Sequence, residues 1–275
     1  MISIGTFHTL KIARSTNVGL FLTDGTHDVL LPNKYVPKNY ELDDELEVFV
    51  YLDHEERPVA TSLEPKIYLN EFALLKVNYI NEFGAFMDWG LEKDLFVPFR
   101  EQARKMTEGN YYMVYMYLDE KTNRLVGSSK LNQFLEEENI KIEVGEEVDL
   151  IVTHITEAGV NVIINEKYKG LMYKNELFEE LRTGDRVIGY IKNIRPDGKI
   201  DVSRQKLGFE KIADNAERIL EELRLNNGFL GLHDKSHPDE IKTVLEMSKK
   251  TFKQTIGTLY KQQKIEMKED GIHLL

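Results

Sequence analysis

A glycine set between two apolar strands recurs three times in the 275-residue chain, at Gly19, Gly84 and Gly159, with spacings of 65 and 75 residues. A period of this size dictates the architecture before any single element is considered. The three glycines open the strands Gly19-Leu20-Phe21, Gly84-Ala85-Phe86 and Gly159-Val160-Asn161. A third strand follows in each unit: Val29-Leu30-Leu31-Pro32, Leu95-Phe96-Val97-Pro98 and Gly170-Leu171-Met172-Tyr173. After a short polar or helical link, a fourth strand begins beyond Asp43-Asp44-Glu45, Thr107-Glu108-Gly109 and Thr183-Gly184-Asp185. A fifth ends in serine at Ser62, Ser128 and Ser203. Five short strands with a small helix between the third and fourth predict a closed barrel of OB-fold type, three times in tandem. The fold class is mainly β.

The middle unit carries the strongest surface signal. With a period of two, Ala85, Met87 and Trp89 face a core, while Gly84, Phe86 and Asp88 face the other way. Phe83 sits beside them at the turn entering the strand. Exposed aromatics on a sheet make a stacking platform for unpaired bases, since every base offers a π-face. A packing role, with Phe86 covering a neighbouring domain or filling a gap in the core, is the competing reading. The fourth strand, Tyr111 to Tyr117, places Tyr112, Val114 and Met116 inward and Tyr111, Met113, Tyr115 and Tyr117 outward. That outward row is either a second stacking surface or the cover of an adjacent module. Leu131 to Asn139 reads as a short acidic linker helix, its Glu136-Glu137-Glu138 run a solvated face.

Beyond residue 208 the period changes to that of helices. Ile212, Ala216, Ile219, Leu220 and Leu223 predict one helix ending near Asn226-Asn227-Gly228. A second follows Ser236, with Pro238 in its first turn and Ile241, Val244 and Leu245 inward. The third, capped by Ser248, turns Phe252, Ile256, Leu259 and Tyr260 to the core. Ile265 to Leu274 then reads as a hairpin. Three helices and a hairpin predict an α+β winged helix with the third helix in the recognition position. Its stretch from Ser248 to Lys264 holds Lys249, Lys250, Lys253, Lys261 and Lys264 and no acid, which makes these lysines the candidate nucleic-acid contacts of the tail. The expected domains are 1–62, 63–139, 140–208 and 209–275.

Phe83-Gly84-Ala85-Phe86, the Leu95-to-Pro98 strand, Leu118-Asp119 and Ser128-Ser129-Lys130 together resemble the S-one domain, an RNA-binding barrel. That resemblance implies an RNA face built from strand-two aromatics, a strand-three histidine or aromatic, an aspartate after strand four and a terminal basic residue. Carried over, the second unit supplies Phe83, Phe86, Asp119 and Lys130, with Pro98 where the histidine is usual. The first keeps Phe21 and Asp53 but has Val18 and Pro32 at the other positions, and reads as degenerate. The third has Ala158 and Asn161 in place of the aromatics, yet keeps Tyr173 and Arg204. Three such barrels followed by a helical tail resemble the conserved virulence factor B family of bacterial regulators, over nearly the whole chain.

Composition narrows the function classes. Net charge is −11, against tight nonspecific duplex binding. The first unit holds five basic and ten acidic residues, the second nine and thirteen, while the third and the tail each hold eleven and twelve. Zero cysteines exclude disulfides and thiolate metal sites and fit a cytoplasmic protein. No stretch is long enough to span a membrane, and MISIGTFHTL lacks the pattern of a signal peptide. Phosphate-cradling GxxxxGK[ST], GxGxxG and HExxH are absent. His233 and His237 fall on a loop, and the Asp43-Asp44-Glu45 run on a turn, so neither makes a metal or acid–base site. No enzyme, cofactor or metal is expected. The expectation is a non-catalytic, post-transcriptional regulator gripping single-stranded RNA. Duplex DNA bound through the winged helix, and protein partners held by an adaptor, are its alternatives.

Overall fold

A computed structural model describes residues 2–174, 180–205 and 209–275, without the side chains of residues 209–213. The three repeats are three closed five-stranded barrels of one topology. Barrel one comprises β1 (Thr6–Ser15), β2 (Gly19–Thr23), β3 (Asp28–Pro32), β4 (Glu45–Leu52) and β5 (Pro58–Thr61). Barrel two comprises β6 (Phe72–Ile80), β7 (Gly84–Asp88), β8 (Leu95–Pro98), β9 (Tyr111–Asp119) and β10 (Arg124–Ser128). Barrel three comprises β11 (Glu147–Ile155), β12 (Gly159–Ile164), β13 (Tyr168–Tyr173), β14 (Arg186–Ile194) and β15 (Ile200–Ser203). In each the fifth strand sits between the third and fourth, and the first closes the ring against the fourth. Single 3₁₀ turns, Asn33–Tyr35 and Phe99–Glu101, link the third and fourth strands of barrels one and two. The corresponding link of barrel three lies partly outside the described residues.

The repeated glycine has a steric cause. A Cβ on Gly19 would stand 2.1 Å from the Leu31 carbonyl oxygen, one on Gly84 2.4 Å from that of Val97, and one on Gly159 2.1 Å from that of Met172. In each barrel the backbone of the second strand presses against the third at the same place, and only glycine fits. A second shared device lies on the first strand, where the register to the second strand shifts between Ile12 and Arg14, Val77 and Tyr79, and Val152 and His154. One residue is bulged out in each, bending the strand and re-aiming the side chain that follows.

Barrels one and two share a core. Phe49 and Tyr51 pack with Val77, Met87, Trp89 and Val114 in one buried cluster, and the Trp89 ring meets the Phe49 and Tyr51 rings edge-on at 5.9 and 6.1 Å. Barrel two meets barrel three through Phe72, Met113, Ile151 and Ile163, with the Arg186 guanidinium donating to the Phe72 carbonyl at 3.0 Å. Met113 is therefore buried, not part of a free outward row. Tyr115 stacks on Phe134 at 4.2 Å and Tyr117 meets the same ring tilted at 5.3 Å, which leaves Tyr111 as the exposed member. The outward face of β9 is the cover of a neighbouring module.

The linker differs from the helix expected over residues 131–139. Only Leu131–Phe134 forms a 3₁₀ turn, and Leu135 is already extended. A single turn costs more to nucleate than its hydrogen bonds return, and the three consecutive glutamates that follow repel one another. Leu131, Phe134 and Leu135 pack instead on the core between barrels two and three.

The tail is a winged helix of α1 (Phe209–Leu225), β16 (Phe229–Leu230), α2 (Pro238–Leu245), α3 (Lys249–Lys261), β17 (Ile265–Lys268) and β18 (Gly271–Leu274). The short β16 completes a sheet in the order β16-β18-β17. Ile219, Leu223, Ile241, Leu245, Phe252, Ile256 and Leu259 form its core with Ile265 and Ile272. The side chain of Ile212 lies outside the described residues. Val244 and Tyr260, both expected inward, are 40% and 52% exposed, because the core closes over Leu245 and Leu259 beside them. Ser248 caps α3, accepting from the Thr251 amide at 3.1 Å. The α2 cap is His237, in a reciprocal box with Glu240. Compact unit two carries Asp201–Leu275 with Ile142–Val148 and Ile188–Ile194, while barrels one and two belong to unit one.

The close approach at Gly84 sets the first prediction. Gly84→Ala forces a backbone shift against Val97 and costs about 1–3 kcal/mol, as overpacking does. A lower midpoint for the barrel-two transition in thermal melting checks it, and an unchanged midpoint would show that the strands can part at no cost.

Candidate nucleic-acid interface

Barrel two presents the aromatic face that the alternation of β7 predicts. Ala85, Met87 and Trp89 are buried, and Phe86 stands half-buried on the other side. Asn81 fixes the turn before it, its side-chain oxygen accepting from the amides of Phe83 and Gly84 at 2.8 and 3.2 Å. This Asx turn holds Phe83 outward, 63% exposed. Phe86 does not stand alone. Tyr79 lies parallel to it, centroids 4.5 Å apart and planes 7° off, and Phe96 flanks its other side at 5.0 Å. A row of rings, Tyr79-Phe86-Phe96, thus crosses three strands with Phe83 at its end.

Tyr79 and Phe96 are absent from the sequence expectation, yet both leave a signal. Phe96 pairs with Phe86 across the sheet and, two residues before Pro98, shares its face. The third-strand aromatic is therefore Phe96, while Pro98 lies opposite Gly84. Tyr79 stands five residues before Gly84, as Arg14 does before Gly19 and His154 before Gly159. Each is the residue just past the bulge, and each pairs with the strand-two residue of the platform: Arg14 with Phe21, Tyr79 with Phe86, His154 with Asn161.

The same cross-strand position therefore carries three chemistries. In barrel one the Arg14 guanidinium sits 4.0 Å over the half-buried Phe21 ring and is ion-paired to Asp28. In barrel three His154 faces Asn161, and burial, then the nearby Lys169 and Arg104, push its imidazole below its ordinary pKa. Tyr173, half-buried, accepts a hydrogen bond from the Arg195 guanidinium. Arg204 lies half-buried just past β15.

The two aspartates after the fourth strands hold turns. Asp119 accepts from the Lys121 amide at 3.2 Å and the Thr122 hydroxyl at 3.0 Å, with the Arg100 guanidinium 3.6 Å away. The Lys121 amide above all, then Thr122, hold its carboxyl below the usual range. Burial pushes Asp53 up, but hydrogen bonds from Arg57 and Glu55 outweigh it and hold that carboxyl below its ordinary value too. Asp119 nonetheless borders the aromatic face. With Phe83, Phe86, Phe96 and Arg100 it lines a cavity of about 540 Å³ that extends to barrel one. Lys130 does not line this cavity: it is half-buried, and its amide bonds to the Ser128 hydroxyl at 3.2 Å. The cations that do are Lys93, Arg100 and Arg124.

On α3, Lys250, Lys253 and Lys261 are exposed along one face, and Lys264 is exposed just beyond the helix. Lys253 stands 4.0 Å from the Asp234 carboxylate. Lys249 is turned aside, half-buried and donating to the Ser236 carbonyl at 2.8 Å.

Comparison with known proteins fits this architecture. Residues 4–63 and 71–130 match the S1 domain, and residues 217–274 match the CvfB-like winged helix domain. Conserved virulence factor B of Staphylococcus aureus (strain USA300) is 31% identical over 84% of the chain and 82% of its own length. The chain belongs to the conserved virulence factor B family. The protein YitL of Bacillus subtilis (strain 168) is 30% identical over 94% of this chain and 89% of its own. A Streptococcus pneumoniae structure, described as a multidomain protein with nucleic acid binding domains, aligns over 99% of this chain and 98% of its own at 23% identity, with a TM-score of 0.42. The S1 match takes in barrel one, whose platform the sequence marks as degenerate, so the barrel is retained where its surface chemistry is not.

The S1 turn gives a pH-dependent prediction. Because the Asp119 pKa is lowered on folding, its stabilising share is complete above the unfolded value of about 3.9 and is lost as pH falls through the lowered one. An NMR titration of the Asp119 carboxyl is expected to give a midpoint below about 3.9. Thr122→Val should move it upward, and no movement would mean that Thr122 does not hold the carboxylate.

Proposed function

We propose that this chain is a non-catalytic, cytoplasmic RNA-binding regulator that grips single-stranded RNA and acts after transcription. The observation that carries the proposal is the ring row of barrel two, where Phe86 lies parallel to Tyr79 and beside the tilted Phe96 ring, and Phe83 projects beside them. A duplex keeps its base faces stacked inside, whereas a single strand offers them to rings of this kind. The net charge of −11 supports the same reading, since a protein short of cations gains more from stacking than from phosphate neutralisation. S1 and winged-helix architecture fits nucleic-acid binding in general. Tandem modules add to the grip by raising effective concentration. Lys130, Phe21, Tyr173 and Arg204 are the further contacts proposed along the barrels.

A second reading rests on α3, whose exposed Lys250, Lys253 and Lys261 share one face in the position a winged helix inserts into a major groove. It makes the protein a duplex-DNA regulator. Lys253→Ala with Lys261→Ala separates the two: loss confined to duplex DNA favours α3 as a groove reader, and loss confined to single strands makes it a backbone contact.

Phe83→Ala with Phe86→Ala is expected to weaken single-stranded RNA binding by about 1–3 kcal/mol for each lost stack. Tyr79→Ala should do the same to a smaller degree, because Tyr79 holds Phe86 in its plane. The salt dependence should be shallow, a log–log slope of about −2 to −3 at roughly −0.7 per phosphate, and unchanged in the aromatic variants. Fluorescence anisotropy with equal-length single-stranded RNA, single-stranded DNA and duplex DNA at two salt concentrations checks this. Unchanged affinity in the double variant, or a slope near −7, would move the main binding surface to the lysines of the tail.

A further inference from the structure

The aromatic face of barrel two is not open on every side. Tyr51, Leu52 and Glu56 of barrel one line, together with Phe86 and Phe96, the cavity of about 540 Å³. This wall is fastened in place. The Lys93 ammonium donates to the Asp53 carbonyl at 2.7 Å and to Glu56 at 3.0 Å, and the Arg124 guanidinium is ion-paired to the other Glu56 oxygen at 2.8 Å. The turn between β4 and β5 is thereby held against barrel two by two cations that belong to barrel two. Glu56 takes a left-handed backbone conformation (φ 63°) at the tip of that turn. Trp89 also lines the cavity, with its indole N–H donating to the Lys93 carbonyl at 2.6 Å.

The size falls within the range of small-molecule sites, and the lining has their usual character, apolar and aromatic with a few charged groups at the rim. The rings of Phe83, Phe86 and Phe96, the Leu52 side chain and the guanidinium groups of Arg100 and Arg124, each beside a carboxylate yet more than half exposed, match a planar heteroaromatic ring attached to a phosphate. We propose that barrel one, whose own platform is degenerate, completes barrel two's site, and that the resulting cavity takes a single unstacked nucleobase, carried by a strand or by a free nucleotide. This deepens the single-strand reading and rests on it for the strand-borne source alone.

The chain's only tryptophan is the reporter, because Trp89 lines the cavity. The full chain is titrated with a ten-nucleotide single-stranded RNA, with a strand of the same length lacking bases, and with adenosine and cytidine monophosphates. RNA is expected to quench Trp89 emission and the base-free strand to leave it unchanged. Quenching by RNA alone assigns a strand-borne base, and saturable quenching by a monophosphate assigns a free nucleotide. Leu52→Phe, which narrows the cavity from the barrel-one side, and Glu56→Ala, which frees the clamp, should each weaken binding of the quenching ligand at least tenfold. RNA binding with unchanged emission, and with full affinity in both variants, would overturn the composite cavity and leave the single-strand reading standing. Absence of any binding by RNA or monophosphate would overturn both.

Discussion

Each barrel depends on one close contact, the backbone of a glycine pressed against a carbonyl oxygen of the neighbouring strand. At Gly19, Gly84 and Gly159 the position a Cβ would occupy lies 2.1–2.4 Å from that oxygen, so the strands can approach only without a side chain. The contact sits at the start of the second strand, where the barrel must turn sharply to close over five strands. The bulge on the first strand supplies the rest of the curvature. Together they fix which residues face outward on the first two strands, and hence where a ligand can meet the barrel.

Because that skeleton is constant, the surface above it is free to differ. The residue past the bulge and its cross-strand partner are Arg14 with Phe21, Tyr79 with Phe86 and His154 with Asn161. The first pair is a cation over a ring, the second two parallel rings and the third two polar side chains. A platform needs aromatic rings at the surface, and barrel two alone of the three carries them at both positions. In barrel one the guanidinium over Phe21 already occupies the face a base would use.

Much of this was legible in the chain. The glycine period gave the number and topology of the barrels, and the alternation of β7 gave the faces of Phe86 and Met87, because a period of two survives any packing. Tyr79 escaped for a physical reason: the bulge between Val77 and Tyr79 breaks the alternation of β6 just before it. Met113 escaped for another. Strand periodicity assigns a side but not what covers it, and the outer side of β9 is covered by barrel three. Val244 and Tyr260 are apolar residues at the margins of helical stripes, where a shift of one position decides between core and solvent. The cavity beside Phe86 was not legible at all. It depends on the turn between β4 and β5 meeting Lys93 and Arg124, residues 37 and 68 positions past Glu56 with no pattern to join them.

One carboxylate of the acidic first unit, Glu56, anchors the same clamp. Glu56 is useful there as the anchor for two cations, and Asp53 as the cap of its own turn. Carboxylates placed on a phosphate-tracking surface would repel the strand, whereas on a wall fastened to barrel two they hold one module against another. Removing ions from water is repaid only when both partners are well placed, and the Glu56 carboxylate has a cation on each oxygen. A module can thus lose its own aromatic platform and gain negative charge while remaining necessary, provided its task is to shape a neighbour's site instead of binding a strand itself. On that account the contrast between an acidic first barrel and an aromatic second one is a division of labour between wall and platform.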